Sequence, residues 1–341
     1  MKTYEEVQQL IRRQRRTWLV TGAAGFIGSN LVEKLLSLDQ EVVGLDNFST
    51  GKRENVHKGI QLVEGDIRSL ETCREACRGI DFVLHQAALG SVPRSIERPL
   101  ATHDANVNGF LNMLIATRDA GIPRFVFASS SAVFGDDPSL PKVEERIGHA
   151  LSPYGLSKHI NELYADVFAR CYGLRWIGLR YFNVFGPRQD ADGSYASVIP
   201  AWIGALLRGE TAYINGDGTA ARDFCHVDNV VQMNLRAAMT DDADALDQAY
   251  NVAHGEMTSL AELFDIIRAL LGRRRPHLRG VRPVHREPRG GDILLSRADI
   301  RKAQRLLGYE PTVRIMEGLE STLDWYIAHV APREARKVAN V

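Results

Sequence analysis

Three glycines, spaced three residues apart, follow a short apolar run near the start of the chain. The apolar run is Thr17 to Val20, and the glycines stand in Thr21-Gly22-Ala23-Ala24-Gly25-Phe26-Ile27-Gly28. Glycines at these places allow a tight turn, a close approach of the backbone to a pyrophosphate, and close packing of the next helix on a strand. The N-terminus of that helix adds free N–H groups and a positive dipole end. The pattern predicts a dinucleotide site formed by Gly22, Gly25, Phe26, Ile27 and Gly28.

An acid follows the next apolar run, as this kind of site requires. Glu41 to Leu45 predicts a second strand, and Asp46 and Asn47 come directly after it. A carboxylate at this place accepts hydrogen bonds from both ribose hydroxyls of the adenosine and repels a 2′-phosphate, which favours NAD over NADP as cofactor. Asp66 and Ile67 close the following strand, and we expect them to reach the adenine.

Strand-like and helical patterns alternate through the first half of the chain. The predicted strands are Thr17 to Val20, Glu41 to Leu45, Gln61 to Val63, Asp81 to Leu84, Arg124 to Ala128 and Arg175 to Leu179. The predicted helices are Phe26 to Leu38, Leu100 to Ala120 and Pro153 to Cys171. This alternation predicts an α/β fold with a Rossmann-like, doubly wound parallel sheet. After Asn183 the rhythm weakens and Gly, Pro and Asp cluster, which predicts a smaller mixed α/β region towards the C-terminus.

Composition argues against several kinds of binding partner for the chain. The chain has 341 residues, with 42 basic and 42 acidic side chains and a formal net charge of zero. A neutral chain argues against a nucleic-acid or membrane-surface role that rests on bulk charge, and no apolar run reaches membrane-spanning length. The four cysteines lack the paired spacing of a metal site, so we expect no metal. So few cysteines in a chain of this length fit a reducing compartment, and we expect a cytoplasmic protein.

Tyr154 and Lys158 stand four residues apart at the start of a predicted helix, so they share one face of it. Taking a hydride from a carbinol carbon requires removal of the hydroxyl proton, but a free tyrosine has a pKa of ~10 and is a poor base at neutral pH. We expect the lysine ammonium and the positive nicotinamide ring together to lower the tyrosine pKa by about three units. The pair predicts a catalytic base, although an exposed tyrosine beside a solvated lysine would give the same spacing.

Three serines, Ser129, Ser130 and Ser131, end the predicted strand Arg124 to Ala128. In a doubly wound sheet the carboxyl ends of the strands line the ligand crevice. A hydroxyl at this place can hydrogen-bond the reacting sugar oxygen and orient the phenol, whereas serines at a strand end are otherwise common turn residues.

With these residues in place, the sequence resembles the extended short-chain dehydrogenase/reductase family, and within it the nucleotide-sugar 4-epimerases that act on UDP-N-acetylglucosamine. The resemblance runs from about Trp18 to Tyr326. Beyond the segments already quoted, its markers are His85-Gln86-Ala87-Ala88, Tyr154-Gly155-Leu156-Ser157-Lys158, Arg180-Tyr181-Phe182-Asn183-Val184-Phe185-Gly186, Arg222-Asp223-Phe224 and Arg289-Gly290-Gly291-Asp292.

The resemblance implies a role for each matching residue. Ser130, Tyr154 and Lys158 would be catalytic, with Tyr154 as the base. The cofactor NAD would also contact Gln86, Ala87, Ala88, Tyr154, Lys158 and Tyr181. The substrate would contact Gly90, Ser91, Arg94, Ser130, Ser131, Asn183, Gln189, Tyr213, Arg222, Arg289, Asp292 and Ser296. Among these, Arg222 and Arg289 would pair with the diphosphate, which suits planar guanidinium donors, and Tyr213 would stack on uracil.

The resemblance also implies a division of the chain. Residues 17–182 and about 224–250 would form the NAD-binding Rossmann domain. Residues about 183–223 and 251–330 would form the nucleotide-sugar-binding domain, and residues 1–16 an N-terminal helical extension.

Two departures from related enzymes bear on the reaction. Nucleotide-sugar dehydratases carry an Asp-Glu pair after the catalytic hydroxyl residue, and here Ser131 and Ala132 stand there, so dehydration is not expected. Phe134 replaces the tyrosine usual before Gly135. The predicted size of the substrate's sugar rests on Ser296 and Gly90. In the related epimerases that are restricted to plain hexoses, the place of Ser296 looks to hold a bulky tyrosine. Small residues at both places leave room for an N-acetyl group.

The resulting prediction is reversible C4 epimerisation of a UDP-N-acetylhexosamine, UDP-GlcNAc to UDP-GalNAc, through a transient 4-keto sugar with bound NAD. The alternatives are a 4-epimerase of UDP-N-acetylglucosaminuronic acid or UDP-glucose, with Arg94 available for a carboxylate, and a UDP-uronic acid decarboxylase. A protein that binds NAD to sense redox state is a different class, and the intact Ser–Tyr–Lys set argues against it. We also expect a homodimer, formed by Leu100 to Ala120 and Pro153 to Cys171 as a four-helix bundle.

Overall fold

The structure of this protein is a computed structural model that describes residues 2–192, 196–288 and 294–330. In chain order its strands are β1 (Thr17–Thr21), β2 (Glu41–Asp46), β3 (Gln61–Glu64), β4 (Phe82–His85), β5 (Phe125–Ser130), β6 (Trp176–Tyr181), β7 (Val184–Phe185), β8 (Tyr213–Asn215), β9 (Ala221–Arg222), β10 (Cys225–His226), β11 (Gln248–Val252), β12 (Thr258–Ser259), β13 (Val284–Arg286) and β14 (Leu295–Ser296).

The α-helices are α1 (Tyr4–Arg13), α2 (Phe26–Ser37), α3 (Leu70–Ala76), α4 (Val92–Glu97), α5 (Pro99–His103), α6 (Gly109–Asp119), α7 (Pro153–Tyr172), α8 (Val198–Leu207), α9 (Val227–Met239), α10 (Leu260–Arg274), α11 (Arg301–Leu307) and α12 (Ile315–His329). Short 3-10 turns lie at Arg53–Asn55, Ser131–Phe134, Ala243–Ala245 and Pro276–Leu278. None of the helices in the described ranges combines the length and apolarity needed to cross a membrane.

Seven parallel strands form the central sheet in the order β11-β6-β5-β4-β1-β2-β3. The order reverses beside β1, where β2 lies on one side and β4 on the other. In sheets of this kind the crevice for ligands opens at the carboxyl ends of the strands at such a reversal. The predicted Rossmann-like parallel sheet is therefore confirmed, and the six predicted strands form within two residues of their expected bounds.

Helices cover both faces of the sheet, because side chains of neighbouring strand residues point to opposite faces. Trp18 and Val20 of β1 join the apolar cluster under α1, α2 and α9, whereas Leu19 between them joins the cluster under α3, α6 and α7. A separate apolar cluster, with Trp202 and Phe264 among its members, lies outside the sheet in the later part of the chain. This third cluster is the core of the smaller mixed α/β region.

The seventh strand and one helix differ from the prediction. The strand β11 was not expected. Its Asn251 is buried, and the side chain donates to the carbonyl oxygens of Lys142 at 2.9 Å and Asp299 at 3.1 Å. A domain boundary at about 250 would cut this strand, which ends at Val252, so the boundary belongs after it. The division into two domains otherwise stays a prediction.

The helix predicted over Leu100 to Ala120 is interrupted by a π-helical turn, Asp104–Asn108, between α5 and α6. There the side chain of Asn106 bonds both the N–H and the carbonyl of Leu89, at 2.8 and 3.2 Å, and the hydroxyl of Ser157 at 3.1 Å. π-turns of this kind are frequent at functional sites, and this one ties the segment after β4 to the helix that carries Tyr154.

Candidate active site

The glycine loop between β1 and α2 is shaped to lie against a phosphate chain. Gly22 has a φ of +69°, and a Cβ on it would lie 2.9 Å from the Ala87 nitrogen. Gly25 is the N-cap of α2 and makes no side-chain cap, so the first N–H groups of the helix have no capping side chain and face the loop. No acid stands in the first helical turn. A cradle that any Cβ would fill, at an uncapped helix N-terminus, fits the pyrophosphate of a dinucleotide.

Hydrogen bonds from neighbouring residues fix the two carboxylates predicted to bind the adenosine. Asp46 at the end of β2 accepts hydrogen bonds from the backbone N–H of Ala24 at 2.9 Å and of Phe48 at 2.8 Å, one on each oxygen. Each oxygen keeps a further lone pair for a ribose hydroxyl. Asn47 donates to Asp66 at 2.7 Å. Hydrogen bonds from Arg68 lower the pKa of Asp66 to about 2 against the opposing effect of burial, so Asp66 is ionised.

A cavity of about 300 Å³, the dinucleotide cavity, brings twelve of the predicted cofactor residues together. Its walls include Gly22, Gly25, Phe26, Ile27, Gly28, Asp46, Asn47, Asp66, Ile67, Gln86, Ala87 and Ala88. These residues come from the ends of four strands, which is why they are scattered along the sequence and adjacent in the fold.

Tyr154 and Ser130 meet at the carboxyl end of β5. Ser152 caps α7 by accepting from the Gly155 N–H at 3.1 Å, and Tyr154 lies in the first turn, half-buried. A Cβ on Gly155 would lie 2.6 Å from the Ala132 carbonyl oxygen, so glycine lets the helix begin against the turn that follows Ser130. The Ser130 side chain interacts with the phenol of Tyr154 and lowers its pKa. Phenol and hydroxyl are thus arranged to contact one oxygen of a substrate.

Lys158 is buried one helical turn after Tyr154, and its Nζ donates to the carbonyl oxygen of Ala128 at 2.7 Å. Burial lowers the pKa of Lys158 to about 8, and the nearby Glu162 carboxylate opposes that fall. Burial raises the pKa of Tyr154 above its usual 10, and the Ser130 side chain opposes this rise. The predicted lowering depends on the nicotinamide ring as well as on Lys158, so for the assembled site it stays a prediction.

The side chain of Tyr181 is not among the described residues that line the dinucleotide cavity, so its contact with NAD stays a prediction. This side chain is buried in the apolar cluster under α2 and α9, and its hydroxyl donates to Gln86 at 3.0 Å and accepts from Asn234 at 2.9 Å. Asn234 in turn accepts from Gln86 at 3.1 Å. Because both bonds of the phenol are used within the chain, Tyr181 positions Gln86 at the dinucleotide cavity.

A cavity of about 670 Å³ lies in the mixed α/β region of the later part of the chain, and we call it the large cavity. Four of the predicted substrate residues line it: Asn183, Gln189, Tyr213 and Arg222. Asn183 has a φ of +32° and donates from its side chain to the carbonyl of Asp223 at 3.0 Å. The Arg286 guanidinium covers the ring of Tyr213, 3.2 Å from its centroid, so a base that stacks on this face must displace it.

A third cavity of about 270 Å³, the bridging cavity, joins the other two. It shares Gly25, Phe26 and Gly90 with the dinucleotide cavity, and Gln189 and Ser197 with the large one. Ser91 and Arg94 also line it, with Ser91 capping α4 by accepting from the Arg94 N–H at 3.2 Å. Twelve of the predicted cofactor residues and seven of the predicted substrate residues therefore line three adjoining cavities, whereas Ser130, Tyr154 and Lys158 are not among the lining residues.

Of the remaining residues predicted to bind the substrate, two are described by the structure and two are not. Ser131 begins the 3-10 turn after Ser130. Ser296 is half-buried in β14, in register with Arg222, and is not among the described residues that line the three cavities. Arg289 and Asp292 lie outside the described residues.

The roles of several residues of the site were not predicted from the sequence. Thr21 accepts from the Ala87 N–H at 3.1 Å and bonds the ring of His85 at 2.8 Å, which fixes the loop that ends β4. Burial, helped by the charge of Lys158, lowers the pKa of His85 to about 3, so its ring is neutral. Asn234 lies 148 positions from Gln86, its partner. Contacts at such separations follow no local spacing, so only the fold reveals them. Within the described ranges, no group of three or more His, Cys, Asp or Glu could hold a metal.

Comparison with known proteins gives a consistent result. Residues 18–253 match the profile of the "NAD dependent epimerase/dehydratase family". A putative UDP-glucose 4-epimerase from Methanocaldococcus jannaschii is 38% identical over 309 residues, covering 90% of this chain and 97% of that protein.

Two solved structures share the fold over nearly their whole length. The UDP-glucose 4-epimerase of Thermotoga maritima, solved with UDP-glucose, has a TM-score of 0.86 and 35% identity, covering 92% of this chain and 100% of that one. The UDP-N-acetylglucosamine 4-epimerase of Methanobrevibacter ruminantium, solved with UDP-N-acetylmuramic acid, has a TM-score of 0.86 and 36% identity, covering 92% and 99%.

Proposed function

The chain belongs to the NAD-dependent epimerase/dehydratase family, and from this we propose that it inverts the C4 hydroxyl of a UDP-sugar, with UDP-N-acetylglucosamine as its substrate. It is an NAD-dependent enzyme of the UDP-sugar 4-epimerase kind. The observation that carries the proposal is the meeting of the first turn of α7, which carries Tyr154, with the turn that follows Ser130 at the carboxyl edge of the sheet, one helical turn from the buried Lys158.

Each residue of this group has a distinct task. Tyr154 takes the proton of the C4 hydroxyl and later returns it, and Ser130 hydrogen-bonds the same oxygen and holds it in line with the phenol. Lys158 supplies positive charge within the buried end of the site. The residues of the dinucleotide cavity would hold NAD, which would supply a hydride acceptor and donor for C4 and a positive charge. The sugar passes through a 4-ketone, and rotation about its diphosphate linkage presents the opposite face.

Two observations bear on why Tyr154 needs help to act as a base. Its pKa is raised by burial, and the chain's own contribution against this is the Ser130 side chain. A hydroxyl that donates to the phenol oxygen stabilises the phenolate more than the phenol. We propose that the Ser130 hydroxyl, together with the positive charges of the assembled site, makes proton transfer accessible at neutral pH.

The choice of N-acetylhexosamine rests on small side chains. A Cβ on Gly90 would meet no atom within 4 Å, and Gly90 lies where the dinucleotide and bridging cavities join. Ser296 stands beside Arg222 in the strand pair β9–β14. The resemblance to the Methanobrevibacter ruminantium enzyme favours the same substrate.

UDP-glucose is the second candidate, because the relatives from Methanocaldococcus jannaschii and Thermotoga maritima are described as UDP-glucose 4-epimerases. UDP-N-acetylglucosaminuronic acid is a third, because Arg94, a basic residue that lines the bridging cavity, would contact its carboxylate. A decarboxylase of a UDP-uronic acid is the remaining alternative of the same family.

The decisive experiment incubates the purified protein with each of the three UDP-sugars without added NAD and separates the products by C4 configuration. We expect the galacto-configured product from UDP-N-acetylglucosamine at the highest kcat/KM, with no net NADH. Release of carbon dioxide from a uronic acid would indicate a decarboxylase, and net accumulation of NADH would indicate a one-way oxidoreductase. No turnover of any of the three would refute the proposal.

We also propose that the protein is a homodimer. The helix α7 exposes Leu156, Leu163 and Val167, with 48%, 55% and 46% of their surfaces accessible, and Leu100 of α5 is 84% exposed. Residues seven and four positions apart lie on one side of a helix. An apolar stripe of this kind on two neighbouring helices is a typical association surface, and pairing it with its copy gives a four-helix bundle. The cytoplasmic location stays a prediction.

A further inference from the structure

Glu162 is a buried carboxylate on α7, four residues after Lys158 and therefore on the same side of the helix. It accepts three hydrogen bonds. Ser129 donates to its Oε1 at 2.5 Å, and Arg180 donates from Nε to Oε1 at 2.9 Å and from Nη2 to Oε2 at 2.7 Å. None of these three residues has a part in the chemistry described above.

The two donors to Glu162 are neighbours in the sheet. Ser129 on β5 pairs in register with Arg180 on β6, and the next pair in register is Ser130 with Tyr181. Arg180 is fixed from two further sides, since it donates to the carbonyl of Glu144 at 2.9 Å and lies over the ring of Phe134, 5.0 Å from its centroid. One carboxylate therefore joins two strands and a helix at the point where the catalytic serine leaves the sheet.

The helix is held to the same strand a second time by Lys158, which donates to Ala128, the residue before Ser129. Two successive residues of β5 are thus bonded by two side chains of α7. Because Ser130 comes next on the strand and Tyr154 one turn earlier on the helix, these bonds set the distance between the two hydroxyls. A shift of about 1 Å between such groups is enough to lower a rate substantially.

We propose that Glu162 is a positioning residue for the epimerisation, acting through Ser129 and Arg180 to hold the strand that ends in Ser130 against the helix that carries Tyr154 and Lys158. The inference rests on the proposed function. It assigns a task to three residues that are not among those lining the dinucleotide, bridging or large cavities.

Glu162 also balances charge in this buried region. The charged and titratable groups around Lys158 are Tyr154 and Glu162 on its own helix, His85 on β4, which is neutral, and Arg180 on β6, paired with Glu162. Two buried cations, Lys158 and Arg180, share this one carboxylate. Removing the negative charge takes the ion pair from Arg180 and the favourable carboxylate charge from Lys158, and the lysine is the one of the two that can lose its proton.

The test compares three variants by their pH profiles of kcat, their bound NAD and their melting temperatures. Glu162→Gln keeps the size of the side chain and removes its charge. We expect it to retain NAD, to lower kcat about ten-fold at neutral pH, and to move the loss of activity at alkaline pH to lower pH by about one unit. Ser129→Ala removes one neutral donor, and we expect kcat about three-fold lower with the alkaline limb unmoved.

The matched control is Asp166→Asn on the same helix, because Asp166 pairs with Arg170 in an exposed ion pair. We expect it to behave as the wild type. A Glu162→Gln variant with normal kcat and an unmoved alkaline limb would overturn the inference while leaving the proposed function intact. If Glu162→Gln does not fold, Ser129→Ala decides, and an unchanged kcat there would overturn it. A wild type inert on all three UDP-sugars would remove both the function and the inference.

Discussion

Gly28 and Gly22 meet so closely that a Cβ on Gly28 would lie 2.0 Å from the carbonyl oxygen of Gly22. The first turn of α2 is packed directly on the loop that ends β1, and the Gly25 N–H donates to the same carbonyl at 3.0 Å. The approach fixes the shape of the phosphate cradle, because any side chain at Gly28 would push the helix away from the loop.

Gly28→Ala is therefore expected to destabilise the fold and to empty the cofactor site together. Overpacking of this kind costs about 1–3 kcal/mol, and the displaced helix no longer directs its N–H groups at a pyrophosphate. Denaturant unfolding and the absorbance of NAD released from the purified protein measure the two effects. Gly280→Ala is the control, since its Cβ would meet nothing within 4 Å. A Gly28→Ala protein with full NAD content would show that the cradle is not the cofactor site.

Tyr154→Phe should remove turnover and little else. The substitution deletes only the phenol hydroxyl, and loss of a general acid–base group lowers rates by about 10²–10⁴-fold. We expect kcat for the preferred UDP-sugar to fall in that range, with bound NAD and melting temperature unchanged. Tyr172→Phe, at the exposed far end of the same helix, serves as the control. Near-normal turnover by Tyr154→Phe would end the assignment of the base.

The rate should fall as the pH rises through about 8. The ordinary pKa of lysine is 10.5, and burial lowers that of Lys158 to about 8. The ammonium is therefore present below this pH and lost above it, and its positive charge beside the phenol is lost at the same time. A pH profile of kcat measures this limb. Lys158→Met, which has no proton to lose, should be slow at every pH and should lack it, whereas an alkaline limb that survives in Lys158→Met belongs to another group.

Ser296→Tyr should narrow the range of substrates. Ser296 is in register with Arg222, which lines the large cavity, so a tyrosine there reduces the room beside the sugar. Exclusion of a bulky group by a filled pocket is worth about 1–3 kcal/mol. We expect kcat/KM for UDP-N-acetylglucosamine to fall at least about ten-fold and that for UDP-glucose to change little. Equal losses on both substrates would mean that Ser296 does not select the acetyl group.

Leu163→Glu should dissociate the dimer. The side chain lies in the exposed stripe of α7, and a carboxylate there would face its own copy across the two-fold axis. Light scattering should give twice the monomer mass for the wild type and the monomer mass for the variant. Met316→Glu places the same charge on an exposed apolar residue of α12, outside the stripe, and should stay dimeric. A wild type that is monomeric at micromolar concentration would contradict the dimer.

Much of the fold could be predicted from the spacing of residues that are close together in the sequence. The glycines from Gly22 to Gly28 and the acid at Asp46 predict a strand, a turn, a helix and a second strand, because each of these elements depends on residues within about twenty positions. The pair Tyr154 and Lys158 follows from helical periodicity alone. The strand β11 was not predicted, and its buried Asn251 has its hydrogen bonds satisfied by Lys142 and Asp299, which are distant in sequence.

The sequence by itself determined which side chains are available for the chemistry and on which elements they stand. Tertiary structure decided their state: Tyr154 is made less acidic by burial, Tyr181 has its hydroxyl used by Gln86 and Asn234, and Ser129 is bound by a carboxylate on a different element. The physical reason is that desolvation and hydrogen bonding depend on which distant segments surround a group. Periodicity along the chain reports only the neighbours within a turn or a strand.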